Sequence, residues 1–226
     1  IVALDNQNLK QIVSLVKKTK SEAYGFKIGK EFFYNYGIEG YKKIYKLSPN
    51  IFLDLKLHDI PNTVEKALKA IVRLKPILTT IHISGGDEMQ KKSSKLNKNK
   101  TKILGVTILT SLNSYQTKKY YNNQNINELV KKFALNAKNN NLNGIVCSPL
   151  EIKTVRKVVG NKMLIVVPGI RLEKKQKNKK DDQKRILTPK EAIKLGADYL
   201  VIGRPIVESN NPLKALKNIN KSIVSK

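Results

Sequence analysis

Eight short apolar runs, each separated from the next by a stretch with helical spacing, recur along the chain with no domain-length linker between them. Ile1–Leu4, Ala23–Ile28, the run from Ile51, Ile77–Ile83, Ile103–Leu109, Gly144–Cys147, Met163–Val167 and Tyr199–Ile202 read as strands. Between them, helical spacing covers Asn8–Lys20, Glu31–Leu47, Pro61–Leu74, Glu88–Leu96, Ile126–Asn139 and Glu151–Val159. A threonine cap followed by proline opens another helix at Thr188-Pro189-Lys190-Glu191, and a last helix covers Pro212–Ile223. Residues 112–125 read as a polar Asn/Tyr/Lys connection. Such alternation closes best into a (β/α)8 TIM barrel, and 226 residues fit one catalytic domain spanning 1–226. The competing open doubly wound sheet lacks its phosphate fingerprints, since neither G-x-G-x-x-G nor G-x-x-x-x-G-K-[ST] occurs.

The third run, Ile51-Phe52-Leu53-Asp54-Leu55-Lys56-Leu57-His58-Asp59-Ile60-Pro61, ends in charge. Buried ionised groups are costly unless paired, so an apolar strand with charges at its C-terminal end suggests a working edge; a surface ion pair on a solvated strand end is the plainer alternative. Strand alternation puts Asp54 and Lys56 on one face and Leu53, Leu55 and Leu57 on the other, with Asp59 in the turn beyond. Asp5, Lys27, Asp54, Lys56, Thr110, Gly169 and Arg204 all fall at C-terminal strand ends, the barrel face where active sites are built. Carboxylates around a lysine keep it protonated near neutral pH, which suits proton donation to carbon rather than Schiff-base chemistry. Late in the chain, Pro168-Gly169-Ile170-Arg171 and Gly203-Arg204-Pro205 offer backbone N–H groups and guanidinium forks to an anionic, phosphate-bearing substrate.

A net charge of +27 raises the question of nucleic acid. The lysines are spread over nearly every helix among many asparagines, with no aromatic-interleaved stripe, so a Lys/Asn bias accounts for them and no nucleic-acid partner is expected. The positive field would still favour capture of an anion. A lone cysteine, Cys147, excludes an intrachain disulfide or cysteine metal cluster and reads as a small buried side chain. His58 and His82 read as packing residues rather than metal ligands, and Asp87 and Glu88 as helix-start carboxylates. No signal peptide or apolar span is evident, so no membrane association is expected and the cytoplasm is the default location. The abrupt strand-like opening suggests that a residue or two precedes Ile1.

The run Asp54-Leu55-Lys56-Leu57-His58-Asp59-Ile60-Pro61-Asn62-Thr63 resembles the signature of the orotidine 5'-phosphate decarboxylases in their shorter bacterial form. The resemblance continues through Ala3-Leu4-Asp5, Lys27-Ile28-Gly29, His82-Ile83-Ser84-Gly85-Gly86, Leu109-Thr110-Ser111, Val146-Cys147-Ser148, Val167-Pro168-Gly169-Ile170-Arg171, Asp182-Gln183-Lys184-Arg185 and Ile202-Gly203-Arg204-Pro205. It implies conversion of orotidine 5'-phosphate to UMP and CO2 without metal or organic cofactor. It also implies Lys56 as proton donor to C6, Asp54 beside the departing carboxylate, Lys27 orienting Asp54 and touching the ribose, and Asp5 on a ribose hydroxyl. By the same resemblance, a homodimer lends Asp59 and Thr63 across its interface, and Thr110 and Ser111 meet the pyrimidine edge. Pro168, Arg171, Gln183, Gly203 and Arg204 then surround the phosphate. One departure stands out: the Lys-rich loop near 172–184 lacks, over Leu172–Lys180, the proline and glycine usual there, so closure with altered loop dynamics is expected.

Overall fold

The computed structural model describes residues 1–5, 8–98, 100–170 and 187–224. Eight parallel strands follow one another around a barrel: β1 (Val2–Ala3), β2 (Phe26–Gly29), β3 (Ile51–Leu57), β4 (Leu78–His82), β5 (Lys102–Val106), β6 (Gly144–Val146), β7 (Leu164–Pro168) and β8 (Tyr199–Val201). The circle closes between β8 and β1 through a parallel bridge of Val2 with Ile202, flanked by Ala3 N–H to Ile202 O at 2.9 Å and Ile202 N–H to Ile1 O at 3.0 Å. The helices are α1 (Leu9–Thr19), α2 (Lys30–Leu47), α3 (Pro61–Arg73), α4 (Asp87–Ser94), α5 (Ser114–Tyr121), α6 (Ile126–Asn139), α7 (Ile152–Val159), α8 (Pro189–Lys194), α9 (Arg204–Val207) and α10 (Pro212–Val224). This is the expected (β/α)8 TIM barrel.

Strand alternation divides the apolar residues into two layers. Ala3, Phe52, Leu78, Leu104, Val106, Val146, Val166 and Val201 pack together inside the barrel. Their neighbours, among them Ile28, Leu53, Ile81, Ile103, Ile145 and Ile165, point outward against helix residues such as Val16, Ile44, Leu68 and Val155. The barrel is therefore filled with side chains, and its polar groups are gathered towards its C-terminal mouth.

Three local expectations change. The connection before Ile126 contains a helix, α5, started by a capping box between Asn113 and Gln116; its largely polar composition hides the helical period. The helix expected over Glu31–Leu47 starts at Lys30 and is broken at Gly37, whose φ of 54° and ψ of −152° a β-carbon would oppose. Strand β5 stops at Val106, which leaves Thr110 and Ser111 in the turn that follows instead of at the strand exit. Helix α4 begins at Asp87 with Glu88 beside it in the first turn, where carboxylates favour the helix dipole. Among the described residues no helix is long and apolar enough to cross a membrane.

At the N-terminal end of the barrel Arg156 acts as a clip. Its guanidinium donates to the carbonyls of Gly196 (2.6 and 3.1 Å), Gly160 (2.6 Å) and Met163 (2.9 Å) and to Asp198 Oδ2 (2.6 Å). The same Asp198 oxygen accepts the Ile165 N–H at 2.7 Å, so one side chain ties α7 to the starts of β7 and β8.

Candidate active site

At the mouth, β1, β2 and β3 bring together residues far apart in sequence. The parallel register sets Ala3 beside Lys27 and Gly29 beside Asp54, so Lys27, Asp54 and Lys56 share the inward face with Asp5 at the exit of β1. Lys27 Nζ donates to Asp5 Oδ1 at 3.1 Å, and Lys56 Nζ to Asp54 Oδ2 at 2.7 Å. Gly29 makes room for the first pair, because a β-carbon there would lie 3.0 Å from Lys27 Nζ and 3.1 Å from Asp5 Oδ1. Positive and negative groups thus alternate from Asp5 to Lys56.

The end of β3 departs from regular strand geometry. Its pairing with β4 runs from Leu53 beside Thr79 to Leu57 beside Ile81, four residues against two. Lys56 lies in this irregular stretch with φ of 49°, a left-handed conformation uncommon for a residue with a β-carbon. Thr80 fills the gap: its fully buried hydroxyl accepts the Lys56 N–H at 2.9 Å and donates to Asp54 Oδ1 at 2.9 Å. Nothing in the sequence singles out Thr80, a β-branched residue at home in any strand, beyond a hydroxyl on the inward face of the strand next to β3.

Burial of Asp54 pushes its carboxyl pKa up. The charges of Lys56 and Lys27 and the hydrogen bonds from Lys56 and Thr80 outweigh that effect and hold it below the usual aspartate range. The carboxylate therefore stays ionised although it is only 8% exposed. Lys27 acts on Asp54 through its charge, since its direct partner is Asp5.

Asp59 and Thr63 are exposed beyond the end of β3, and the Asp59 side chain accepts the N–H of Ile60 at 2.7 Å. With Lys30, Tyr34, Lys56 and His58 they line a cavity of about 350 Å³. Asp59 forms no ion pair with Lys56 among the described residues. The rings of His58 and His82 pack 5.2 Å apart at 35°. Burial, followed by the nearby His58 and Lys56 charges, lowers the His82 pKa to about 4. Cys147 is buried and its thiol pKa is raised well above the ordinary value by that burial and by Glu151, which opposes thiolate formation.

Across the mouth, β7 ends in half-buried Pro168 and in Gly169, whose φ of 80° suits a glycine. After β8, Gly203 precedes α9 and half-buried Arg204 begins it. Thr110 is half-buried and Ser111 exposed in the turn after β5. Arg171, Gln183 and the Lys-rich loop near 172–184 lie outside the described residues. Among the described residues no three of His, Cys, Asp and Glu are grouped as a metal-binding set.

An orotidine 5'-phosphate decarboxylase of Dictyoglomus turgidum is 41% identical over 232 residues, covering 99% of this chain and 94% of its own. The orotidine 5'-phosphate decarboxylase of the Wolbachia from Brugia malayi is 43% identical over 224 residues, with 99% and 98% covered. The crystal structure of the Lactobacillus acidophilus orotidine 5'-phosphate decarboxylase superposes with a TM-score of 0.84 at 35% identity, covering 99% of this chain and 98% of that one. With residues 1–219 also matching the family model, the chain belongs to the orotidine 5'-phosphate decarboxylase / HUMPS family.

Proposed function

We propose that this protein converts orotidine 5'-phosphate to UMP and CO2 as a homodimer, with Lys56 as the proton donor. The observation that carries the reading is the alternating array Asp5, Lys27, Asp54 and Lys56 at the mouth of the barrel. In this reading the phosphate sits at the turns after β7 and β8, against Pro168, Gly203 and Arg204, with Arg171 and Gln183 completing its surroundings. Asp5 and Lys27 meet the ribose, and Thr110 and Ser111 meet the pyrimidine edge. The substrate carboxylate then lies near ionised Asp54, a repulsion that disappears as neutral CO2 leaves. The C6–carboxyl bond breaks, its electron pair remains on C6, and a proton passes from the Lys56 ammonium to that carbon; the neutral amine regains a proton from water. The remote phosphate contacts supply binding energy that is used at C6.

Exposure of Asp59 and Thr63 supports their assignment to the partner's substrate. The chain's own acids are already engaged: Asp5 and Asp54 are each paired with a lysine, which leaves a poor donor set for a divalent ion. The deciding experiment is an assay of CO2 release from orotidine 5'-phosphate in the presence of a chelator. Turnover unaffected by the chelator is expected. Activity only on a sugar phosphate, restored by a divalent ion, would assign the chain to the metal-dependent chemistry of related barrels. Salt-sensitive DNA binding with no decarboxylation would point to its basic surface instead.

A further inference from the structure

We infer that Thr80 is a positioning residue for Lys56 and Asp54, with a single hydroxyl fixing both the backbone that carries the lysine and the carboxylate that faces it. The inference rests on the decarboxylase reading for its kinetic consequences, while its structural content stands on the geometry alone. Lys56 sits where β3 holds two more residues than β4 across the same interval, so its N–H is not taken by the regular ladder. That N–H goes to Thr80 Oγ1 at 2.9 Å. A buried amide without such an acceptor is unfavourable, and the left-handed conformation of Lys56, φ 49°, adds strain of its own. The Thr80 acceptor therefore stabilises the conformation from which the lysine side chain departs.

The same oxygen carries one proton, and Asp54 Oδ1 accepts it at 2.9 Å. This leaves Asp54 Oδ2 turned to Lys56 Nζ at 2.7 Å. The two roles of the hydroxyl are compatible because a threonine oxygen donates once and accepts up to twice. Thr80 is itself fixed: it is fully buried on β4, between Thr79, which hydrogen-bonds Leu53 O at 2.9 Å, and outward-packed Ile81. Sliding or rotating this hydroxyl would move the lysine and the carboxylate together. Valine is close to threonine in shape and lacks the hydroxyl, so Thr80→Val removes both contacts with little change in volume, whereas Thr80→Ser keeps them and loses only a methyl group.

The test compares these two variants with wild type in kcat, KM and pH profile for orotidine 5'-phosphate, alongside the carboxyl titration of Asp54 by 13C NMR without substrate. For Thr80→Val, kcat is expected to fall by about 10- to 100-fold, the range for losing hydrogen bonds to charged groups, with KM changed less than about threefold. Its Asp54 titration and the acidic limb of kcat move to higher pH, because the Thr80 hydrogen bond lowers that pKa. Thr80→Ser is expected to remain within about threefold of wild type, since both hydrogen bonds survive. An unchanged Asp54 titration in Thr80→Val, or equal losses in the serine and valine variants, overturns the inference. If Thr80→Val does not fold, Thr80→Ala takes its place, and equal behaviour of the serine and alanine variants overturns it. A wild-type protein inactive on orotidine 5'-phosphate would refute the decarboxylase reading alone, as the NMR comparison needs no substrate.

Discussion

Lys56 reaches back to Asp54 on its own strand, Nζ to Oδ2 at 2.7 Å, from a backbone held at φ 49°. The pair is kept close by an irregular turn of the strand, and the lysine is presented to the mouth with a carboxylate already bound. This arrangement limits the directions in which the ammonium can move.

Replacement of Lys56 by alanine is expected to reduce kcat by at least about 100- to 10,000-fold, the range of general acid catalysis. Alanine meets the same left-handed penalty as lysine, so no new backbone strain is introduced. Circular dichroism should therefore show a retained fold. Near wild-type kcat at saturating substrate would remove Lys56 as the proton donor.

Arg204→Ala should lower kcat/KM by about 10- to 100-fold, through a lost charge-assisted contact with phosphate. Part of the loss should appear in kcat if, as proposed, binding energy from the phosphate is used at C6. A substrate analogue without the phosphate should show no difference between variant and wild type.

Mixed dimers check whether the site is shared. If each site takes Lys56 from one subunit and Asp59 from the other, the Lys56→Ala and Asp59→Ala proteins are each inactive, yet their hybrid contains one intact site. Equal, random mixing should then restore on the order of a quarter of wild-type activity. No recovery after verified subunit exchange would place Asp59 in its own subunit's site.

His82 predicts a pH dependence of stability. Its folded pKa of about 4 lies below the ordinary imidazole value of 6.5, so between those values the unfolded chain binds a proton that the folded chain does not. Its contribution is full above about pH 6.5 and declines as the pH falls towards 4. His82→Gln should flatten that part of the curve of Tm against pH; parallel curves for the two proteins would contradict it. Asp54 acts at lower pH: with its pKa depressed, its contribution is lost as the pH falls through the folded value.

Arg156→Ala should destabilise the protein by about 1–3 kcal/mol, since the partly buried carbonyls of Gly196 and Met163 lose their shared donor. Lysine should not restore the loss, as one ammonium cannot span the carbonyls of Gly160, Met163 and Gly196. Urea unfolding measures both, and kcat should be unchanged because the clip lies at the opposite end of the barrel from Lys56.

The barrel was legible because its eight apolar runs are short and regularly separated by helical patterns, and the charged end of β3 was visible against its apolar start. Helix α5 escaped because its Ser, Gln, Thr, Lys and Tyr residues leave no apolar stripe, although the Asn113 and Gln116 spacing carries its capping signal. The left-handed backbone of Lys56 had no glycine to announce it. Thr80 was hidden for a different reason: threonine is a common strand residue, and its importance depends on a two-residue irregularity in the neighbouring strand, which only the pairing of β3 with β4 reveals.

The seam between β8 and β1 joins Ile202 to Val2. Asp5 follows one side of this seam and Arg204 the other, so the groups proposed for the sugar and the phosphate are carried by adjacent strands from opposite ends of the chain. In the proposed reading, completing the circle is thus also the step that sets the span between the two halves of the substrate. A seam that opens would leave the charged array on β2 and β3 intact while letting the phosphate grip drift from it, turning barrel closure into a measure for substrate length.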